Sequence, residues 1–430
     1  MKLKERLKNL PRYRVKGKVV GVSGPIIEAM LPKVSIGDFC VFENGVEAEI
    51  VGFRNDKTLL MAYDDTRGVK VGSFVEAKLE PAKIGVGIEL LGSVIDPFGK
   101  PLNKEKIEYS NFYYLKNDPI NPLKRDRIKE PLDTGIRSIN SLLTIGKGQR
   151  VGLFAGAGIG KSTLLGMIAR FTKVDVNIIA LIGERGREVR EFIEDNLGEE
   201  GLKKSVVVVA TSDQTPLAKI RAIYSALAIA SYFSNIGKDV LFMVDSLTRL
   251  AMAQREMGLA IGEPPTTKGY TPSVFSLLPK IIEQAGSFEN RGSITGIYTV
   301  LIEGDDISMD PVADATVGFL DGHILLSRSL ANKRVFPAID ILKSISRLTP
   351  QLVNEEILNA QSKYLELEAI YREAEDMINM GLYKSGTSKK IDTSIKYHKD
   401  LENFLKQSIN QRVGLKESFK ELLDLISKVK

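Results

Sequence analysis

Cysteine is nearly absent from this chain. Cys40 is the only one in 430 residues, which excludes an intramolecular disulfide and a cysteine metal cluster. Histidine is almost as scarce: the chain has 2, His323 and His398, and this argues against a zinc site. His323 sits in an apolar run and reads as a packed core residue rather than a ligand. Charge of one sign is not in large excess. Against 60 Lys+Arg stand 54 Asp+Glu, a net +6, so composition alone does not point to nucleic acid. No long apolar run is present. Ala222 to Gly237 is the longest uncharged stretch of helical character, short of the roughly 18 apolar residues that a membrane span needs. The charged first residues lack the apolar core of a signal peptide. There is no internal repeat and no low-complexity segment. What remains is a cytoplasmic globular protein with room for roughly two to four domains.

Against that background one stretch organises the chain. Ala155-Gly156-Ala157-Gly158-Ile159-Gly160-Lys161-Ser162-Thr163 lies between the apolar run Val151–Phe154 and the apolar segment Leu164–Arg170. A glycine-rich turn between strand and helix is the context of a P-loop. Glycines let backbone N–H groups converge on phosphate oxygens, and the start of the helix favours negative charge. Lys161 can reach the β- and γ-phosphates, and the Ser162 hydroxyl stands where Mg²⁺ is held. The first motif position is usually Gly and here is Ala155, while Gly160-Lys161-Ser162 is intact.

Two further stretches carry chemistry. Val240-Leu241-Phe242-Met243-Val244-Asp245 is an apolar strand ending in a carboxylate, a Walker B pattern for Mg²⁺. In Gly183-Glu184-Arg185-Gly186-Arg187-Glu188 the charges follow a predicted strand and project at the carboxyl edge of the sheet. Glu184 there could polarise the water that attacks the γ-phosphate, with Glu188 behind it, or the cluster is a solvated helix start. Arg249, one helical turn beyond Asp245, reads equally as a phosphate contact or the partner of a carboxylate. Arg347, in Lys343-Ser344-Ile345-Ser346-Arg347-Leu348, reads by itself as a surface arginine.

Taken in order, residues 1–13 form a basic amphipathic arm, with Leu3, Leu7 and Leu10 on one face, which reads equally as a frayed terminus or as a docking arm for a partner helix or an anionic membrane surface. Residues 14–80 hold short β-rich runs broken by turns such as Asn44-Gly45, the pattern of a small β-barrel. No aromatic and basic residues interleave there as in a nucleic-acid-binding barrel. Residues 81–348 alternate strands and helices: Val151–Phe154, Asn177–Ile182, Ser205–Ala210, Val240–Val244, Ser293–Leu301 and His323–Leu326 are the strands of a mostly parallel sheet covered on both faces. Residues 349–430 turn helical over Gln351–Met380 and Ser394–Lys430, with a loop at Gly381–Thr387. The predicted fold is α/β, a P-loop core with a mostly parallel sheet between an N-terminal barrel and a C-terminal helical domain.

Together, Gly156–Ser162, Gly183–Glu188 and Val244-Asp245-Ser246-Leu247-Thr248-Arg249 resemble the rotary-type ATPases, which include F1 catalytic subunits, vacuolar-type subunits and type III secretion ATPases. The stretch Glu263-Pro264-Pro265 to Gly269-Tyr270-Thr271-Pro272-Ser273-Val274-Phe275 is similar to the signature of the flagellar and virulence type III export ATPases, the flagellar branch favoured. Ala155 fits that branch, and Glu303–Asp306, Pro311–Asp314 and Leu320–His323 follow it. The resemblance runs from about Arg14 to the C-terminus.

It implies Mg²⁺-dependent ATP hydrolysis that energises protein export. Gly156, Ala157, Gly158, Ile159, Gly160, Lys161, Ser162 and Thr163 would bind nucleotide, and Ser162 and Asp245 would hold Mg²⁺. Glu184 would be the catalytic carboxylate, Arg249 a phosphate contact and Arg347 a finger reaching the neighbouring subunit's site. Phe336 would stand beside adenine, and Gly381-Leu382-Tyr383 resembles a loop near it. Implied partners are a homohexameric ring, a regulatory stator-like protein at the basic arm and a central coiled-coil stalk. The export gate, chaperones and exported substrates complete the list, with no nucleic acid and a peripheral station at the inner face of the membrane. The alternative is an F1- or V-type catalytic subunit, which needs a different subunit at its alternate interfaces. An RNA translocase would show stacking aromatics in residues 14–80, and a non-catalytic subunit would lack Glu184 or Lys161.

Overall fold

The computed structural model describes residues 14–78, 81–115, 120–304 and 306–429. The basic arm expected over residues 1–13 lies outside the described residues.

Six antiparallel strands close the first barrel: β1 (Val15–Ser23), β2 (Ile26–Met30), β3 (Phe39–Phe42), β4 (Glu47–Arg54), β5 (Lys57–Ala62) and β6 (Phe74–Ala77), in the order β1-β2-β5-β4-β3-β6. Alternation decides what points inward. Cys40 and Phe42 of β3 are buried between half-buried neighbours, and they join Val19, Ile27, Ile50, Leu60 and Val75 in one small core. Burial, then the charges of Asp38 and Glu49, push the Cys40 thiol up to about 12, so it stays protonated and unreactive at neutral pH.

A two-stranded ribbon of β7 (Lys83–Val86) and β9 (Asn111–Tyr114) follows, with β8 (Ser93–Ile95) between them in sequence. The main sheet then takes shape from β10 (Arg150–Ala155), β11 (Val176–Glu184), β12 (Ser205–Thr211), β13 (Val240–Asp245), β14 (Ile294–Leu301), β15 (Gly322–Leu325) and β16 (Ile345–Ser346). With β8 they form 8 strands in the order β16-β15-β10-β14-β13-β11-β12-β8. Every pairing is parallel except β15 with β16. Strands covered on both faces read as continuous apolar runs, and the period of two still sorts their side chains. Ile178, Ala180 and Ile182 face one core, with the helices Pro216–Asn235, Leu247–Ile261 and Pro272–Ile282. Ile179 and Leu181 face the other, with the helix Lys161–Phe171.

The C-terminal helices Glu355–Asn379, Lys389–Leu405 and Leu415–Ser427 bury Tyr364, Leu401, Phe404 and Leu422 in that second core. They therefore share apolar packing with the helix that leaves the P-loop. The first is capped by Asn354, whose side chain accepts from Ile357 N at 3.0 Å. Helical spacing is read from Ser394 to Lys430; the helix begins earlier, at Lys389, and the chain leaves it between Leu405 and Leu415. The cause is tertiary. Gln407 is buried, its Oε1 accepts from Arg137 N at 2.7 Å, and its Nε2 donates to Gly135 O at 2.8 Å and Gln411 O at 2.7 Å. Those bonds tie a turn to the segment before the P-loop, which no helical period reveals.

Candidate active site

The loop after β10 has the conformation its glycines permit. Gly158 (φ +73°) and Gly160 (φ +92°) occupy the left-handed region, where a side chain is strained. Ile159 is buried and anchors the turn, while Ala157 and Gly158 face solvent. The Ala157 carbonyl accepts from Arg328 Nη2 at 2.7 Å. Lys161, Ser162 and Thr163 open the helix Lys161–Phe171, with Ser162 exposed at its mouth. A Cβ on Gly160 would lie 3.9 Å from the Phe336 ring, so this half-exposed aromatic borders the P-loop. The loop Gly381-Leu382-Tyr383 is held within its own segment, the Tyr383 hydroxyl bonding Asp392 Oδ1 at 3.0 Å.

Two strand ends converge on Lys161. Its Nζ donates to Asp245 Oδ1 at the end of β13 and lies 3.8 Å from Glu184 Oε1 at the end of β11. From β14 between them and β10, the Thr299 hydroxyl donates to Asp245 Oδ1 at 2.7 Å. One ammonium thus serves two nearly buried carboxylates, whose side chains are 13% and 6% exposed. Burial first, and the Asp245 charge second, push the Glu184 carboxyl up to about 7, against the pull of Lys161 and Arg249. A hydrogen bond shared with Glu188 raises it further, and that same bond holds the Glu188 carboxyl below its usual range. A carboxyl that titrates near neutrality is what general base catalysis at neutral pH requires.

Arg249 stands one turn into the helix Leu247–Ile261, whose first turn is capped by Ser246 Oγ accepting from Arg249 N at 3.3 Å. Its stem packs on Gly183, where a Cβ would sit 2.9 Å from Arg249 Cβ. The Arg249 Nε is buried and has no hydrogen-bond partner. Buried guanidinium nitrogens are rarely left so, and an incoming anion would satisfy it. The oxygens of Ser162 and Asp245 are the hard donors that Mg²⁺ accepts, and such a site needs few protein ligands because phosphate and water complete it. Among the described residues, no group of three His, Cys, Asp or Glu side chains could hold a metal without them.

Arg347 is not brought to this cluster within the chain. It is exposed on the turn after β16, its N–H donating to Asp321 O at 3.0 Å. Ser346 pairs with Gly322, and Gly322 with Val151 at the start of β10. The P-loop leaves the other end of that strand, roughly 16 Å away at about 3.3 Å per residue.

Sequence reasoning passed over Thr299, Arg328 and Gln214. Thr299 is one of two buried threonines in the strand beside the Walker B strand, and nothing local sets it apart from Thr295. Arg328 opens a short helix after β15 and carries no local mark of its contact with the P-loop. Gln214 follows β12 at the same edge, with a buried Oε1 that lacks a partner.

A parallel sheet with a glycine loop, a lysine and two carboxylates at its carboxyl end defines a P-loop ATPase. The relatives agree. Family models match in chain order: the ATP synthase alpha/beta family beta-barrel domain over residues 13–78, that family's nucleotide-binding domain over residues 135–346, and the T3SS EscN ATPase C-terminal domain over residues 353–424. The flagellum-specific ATP synthase of Bacillus subtilis (strain 168) is 51% identical over 420 residues, spanning 96% of this chain and 95% of that protein. The assembled ATPase EscN of the enteropathogenic E. coli type III secretion system matches with TM-score 0.91 at 42% identity, over 95% of this chain and 100% of that one. EscN in complex with its central stalk EscO matches with TM-score 0.88 at 41% identity, over the same shares. The chain belongs to the flagellum-specific ATP synthases, within the ATP synthase alpha/beta family.

Proposed function

We propose that this chain hydrolyses ATP at the interfaces of a homohexameric ring and thereby energises protein export through a flagellar apparatus. The observation that carries the reading is the shared ammonium of Lys161 between Glu184 and Asp245, at the mouth of the glycine loop. In this account the loop from Gly156 to Thr163 cradles the phosphates. Lys161 leaves its carboxylates for the β- and γ-phosphates, which frees Asp245; with Ser162 it would then hold Mg²⁺. That ion would neutralise phosphate charge as the terminal phosphoryl group departs. Glu184, released from Lys161, takes a proton from the attacking water. Arg249 Nε donates to a phosphate oxygen, and Phe336 offers its face to the base.

Arg347 completes the site from the next subunit. One chain carries the P-loop, the carboxylate and the finger, so identical subunits suffice at every interface. This favours the export reading over an F1-type subunit, which alternates with a different chain. EscN, at 42% identity, has been solved as an assembly and with a stalk, and we assign this chain a comparable ring and coiled-coil stalk partner. The basic arm over residues 1–13 would receive a stator-like regulator. Among the described residues no helix is long and apolar enough to cross a membrane, and the assigned station is the cytoplasmic side of the export gate, where chaperones and substrates arrive.

Dilution tests the interface. Specific activity should rise with protein concentration, and Arg347→Ala should abolish that rise, at a loss of about 10³-fold in rate, while nucleotide affinity of the subunit stays near wild type. Concentration-independent activity would place the whole site within one chain.

A further inference from the structure

The finger assigned above sits on the turn after a two-residue strand at the sheet edge, a short support for a group that must be placed to within about an ångström. The surrounding contacts are unusually complete. Asp321 O accepts from Arg347 N at 3.0 Å. The Asp321 carboxylate accepts from Arg150 at three points: the backbone N at 3.0 Å, Nε at 2.9 Å and Nη2 at 3.0 Å. Asp321 N in turn donates to Arg150 O at 2.9 Å. The residue that holds the finger is therefore pinned on both sides to the first residue of β10, the strand that ends in the P-loop.

Gln149 locks the other side. Fully buried, it reaches Ser346 Oγ at 3.0 Å and Asp321 O at 3.3 Å through Nε2, while its Oε1 accepts from Gly146 N at 2.8 Å. Close approach is enforced as well. A Cβ on Gly322 would lie 2.5 Å from Ile345 O and 3.0 Å from Ser346 Cα. A forked Arg–carboxylate pair fixes geometry as well as adding energy, and its side chains are only 20% and 22% exposed.

We infer that Arg150 and Asp321, with Gln149, are positioning residues for the neighbouring subunit's reaction: they mount Arg347 and act on the site across the interface, not on the P-loop of their own chain. The inference rests on the reading of Arg347 as a finger in trans. Substitution here should lower kcat and spare KM for ATP, because the mount touches no nucleotide.

The test uses mixed rings of the full chain. Asp321→Ala alone should lose about 10- to 100-fold in kcat, with nucleotide binding unchanged. Mixed with Lys161→Ala, it should recover activity, since an intact P-loop on the Asp321→Ala chain meets an intact finger on its neighbour. Mixed with Arg347→Ala, it should recover none, because both chains lack a competent finger. The reverse pattern, recovery with Arg347→Ala and none with Lys161→Ala, would show that Asp321 serves its own P-loop and would overturn the inference. Wild-type kcat in Asp321→Ala would overturn it too. If Asp321→Ala does not assemble, Asp321→Asn and Arg150→Lys, which keep hydrogen bonds but spoil the fork, should show the same pattern at smaller amplitude. Failure of the control pair, Arg347→Ala with Lys161→Ala, to recover activity in confirmed mixed rings would instead remove the finger reading itself.

Discussion

At the carboxyl end of the central strands one ammonium, Lys161, is divided between Glu184 and Asp245, and Arg249 Nε is buried without a partner. At the amino end of the same sheet a single carboxylate, Asp321, takes three hydrogen bonds from Arg150. Both clusters are charged and held by the same sheet, yet the first leaves a donor unpaired and the Arg150–Asp321 pair is fully bonded. Buried polar groups are normally paired, so an unpaired Arg249 Nε beside two carboxylates that share one ammonium suits a cluster that awaits a ligand. Saturation marks the edge that must hold still. In the proposed ring, this comparison accounts for one sheet both receiving a nucleotide and presenting Arg347 to the next subunit.

The contrast breaks first at Lys161. Lys161→Ala should abolish nucleotide binding and hydrolysis, as read by fluorescent nucleotide and phosphate release, because the phosphates lose their point charge. Retained affinity would mean that the carboxyl edge does not need that ammonium. Next in size is Glu184→Gln, which should bind ATP and lose about 10²- to 10⁴-fold in turnover. The same carboxyl sets a pH dependence. With Glu184 titrating at about 7 in the free protein, kcat/KM should fall as pH drops through that value, because the protonated form cannot accept a proton. A flat profile there would relocate the base.

Smaller effects are in stability. Thr299→Val takes the hydroxyl from Asp245 and should cost about 1–3 kcal/mol in urea unfolding; no loss would show that the hydroxyl is replaceable. Glu184 contributes in the opposite sense. Its folded value lies above the unfolded one, so its stabilising share is complete below the unfolded value and fades as pH rises through about 7. Glu184→Gln should therefore melt higher than wild type at pH 8, with the difference shrinking as pH falls toward 4.5, the unperturbed value. A difference that grows on acidification would reverse the assignment.

Much of this contrast was legible in the residues, unevenly. The strands of the main sheet announced themselves because both faces are covered, and Val240–Asp245 or Ser205–Thr211 are unbroken apolar runs. In the barrel, β2 and β6 carry little local signal. Ile26–Met30 and Phe74–Ala77 are short, each holds a Glu, and pairing with β1 on one side and with β5 or β3 on the other gives them a face. Three-residue β8 owes its existence to β12. At the carboxyl edge, motif spacing singled out Lys161, Glu184 and Asp245, whose strand ends the sheet brings together. Thr299 and Arg328 come from distant segments, and no local pattern links them to the loop. The mount of Arg347 was equally silent. Arg150 and Asp321 are 171 positions apart, and each reads locally as an ordinary charged residue beside a strand.

The central claim is that the carboxyl edge of one chain and the amino edge of the next make one site. Two mixtures of equal composition test it. One combines Lys161→Ala with Arg347→Ala chains; the other combines wild type with the double variant. In randomly mixed rings with independent sites, a site shared between neighbours predicts about a quarter of wild-type activity in both mixtures. A site confined to one chain predicts none in the first and about half in the second, and that result would contradict the account.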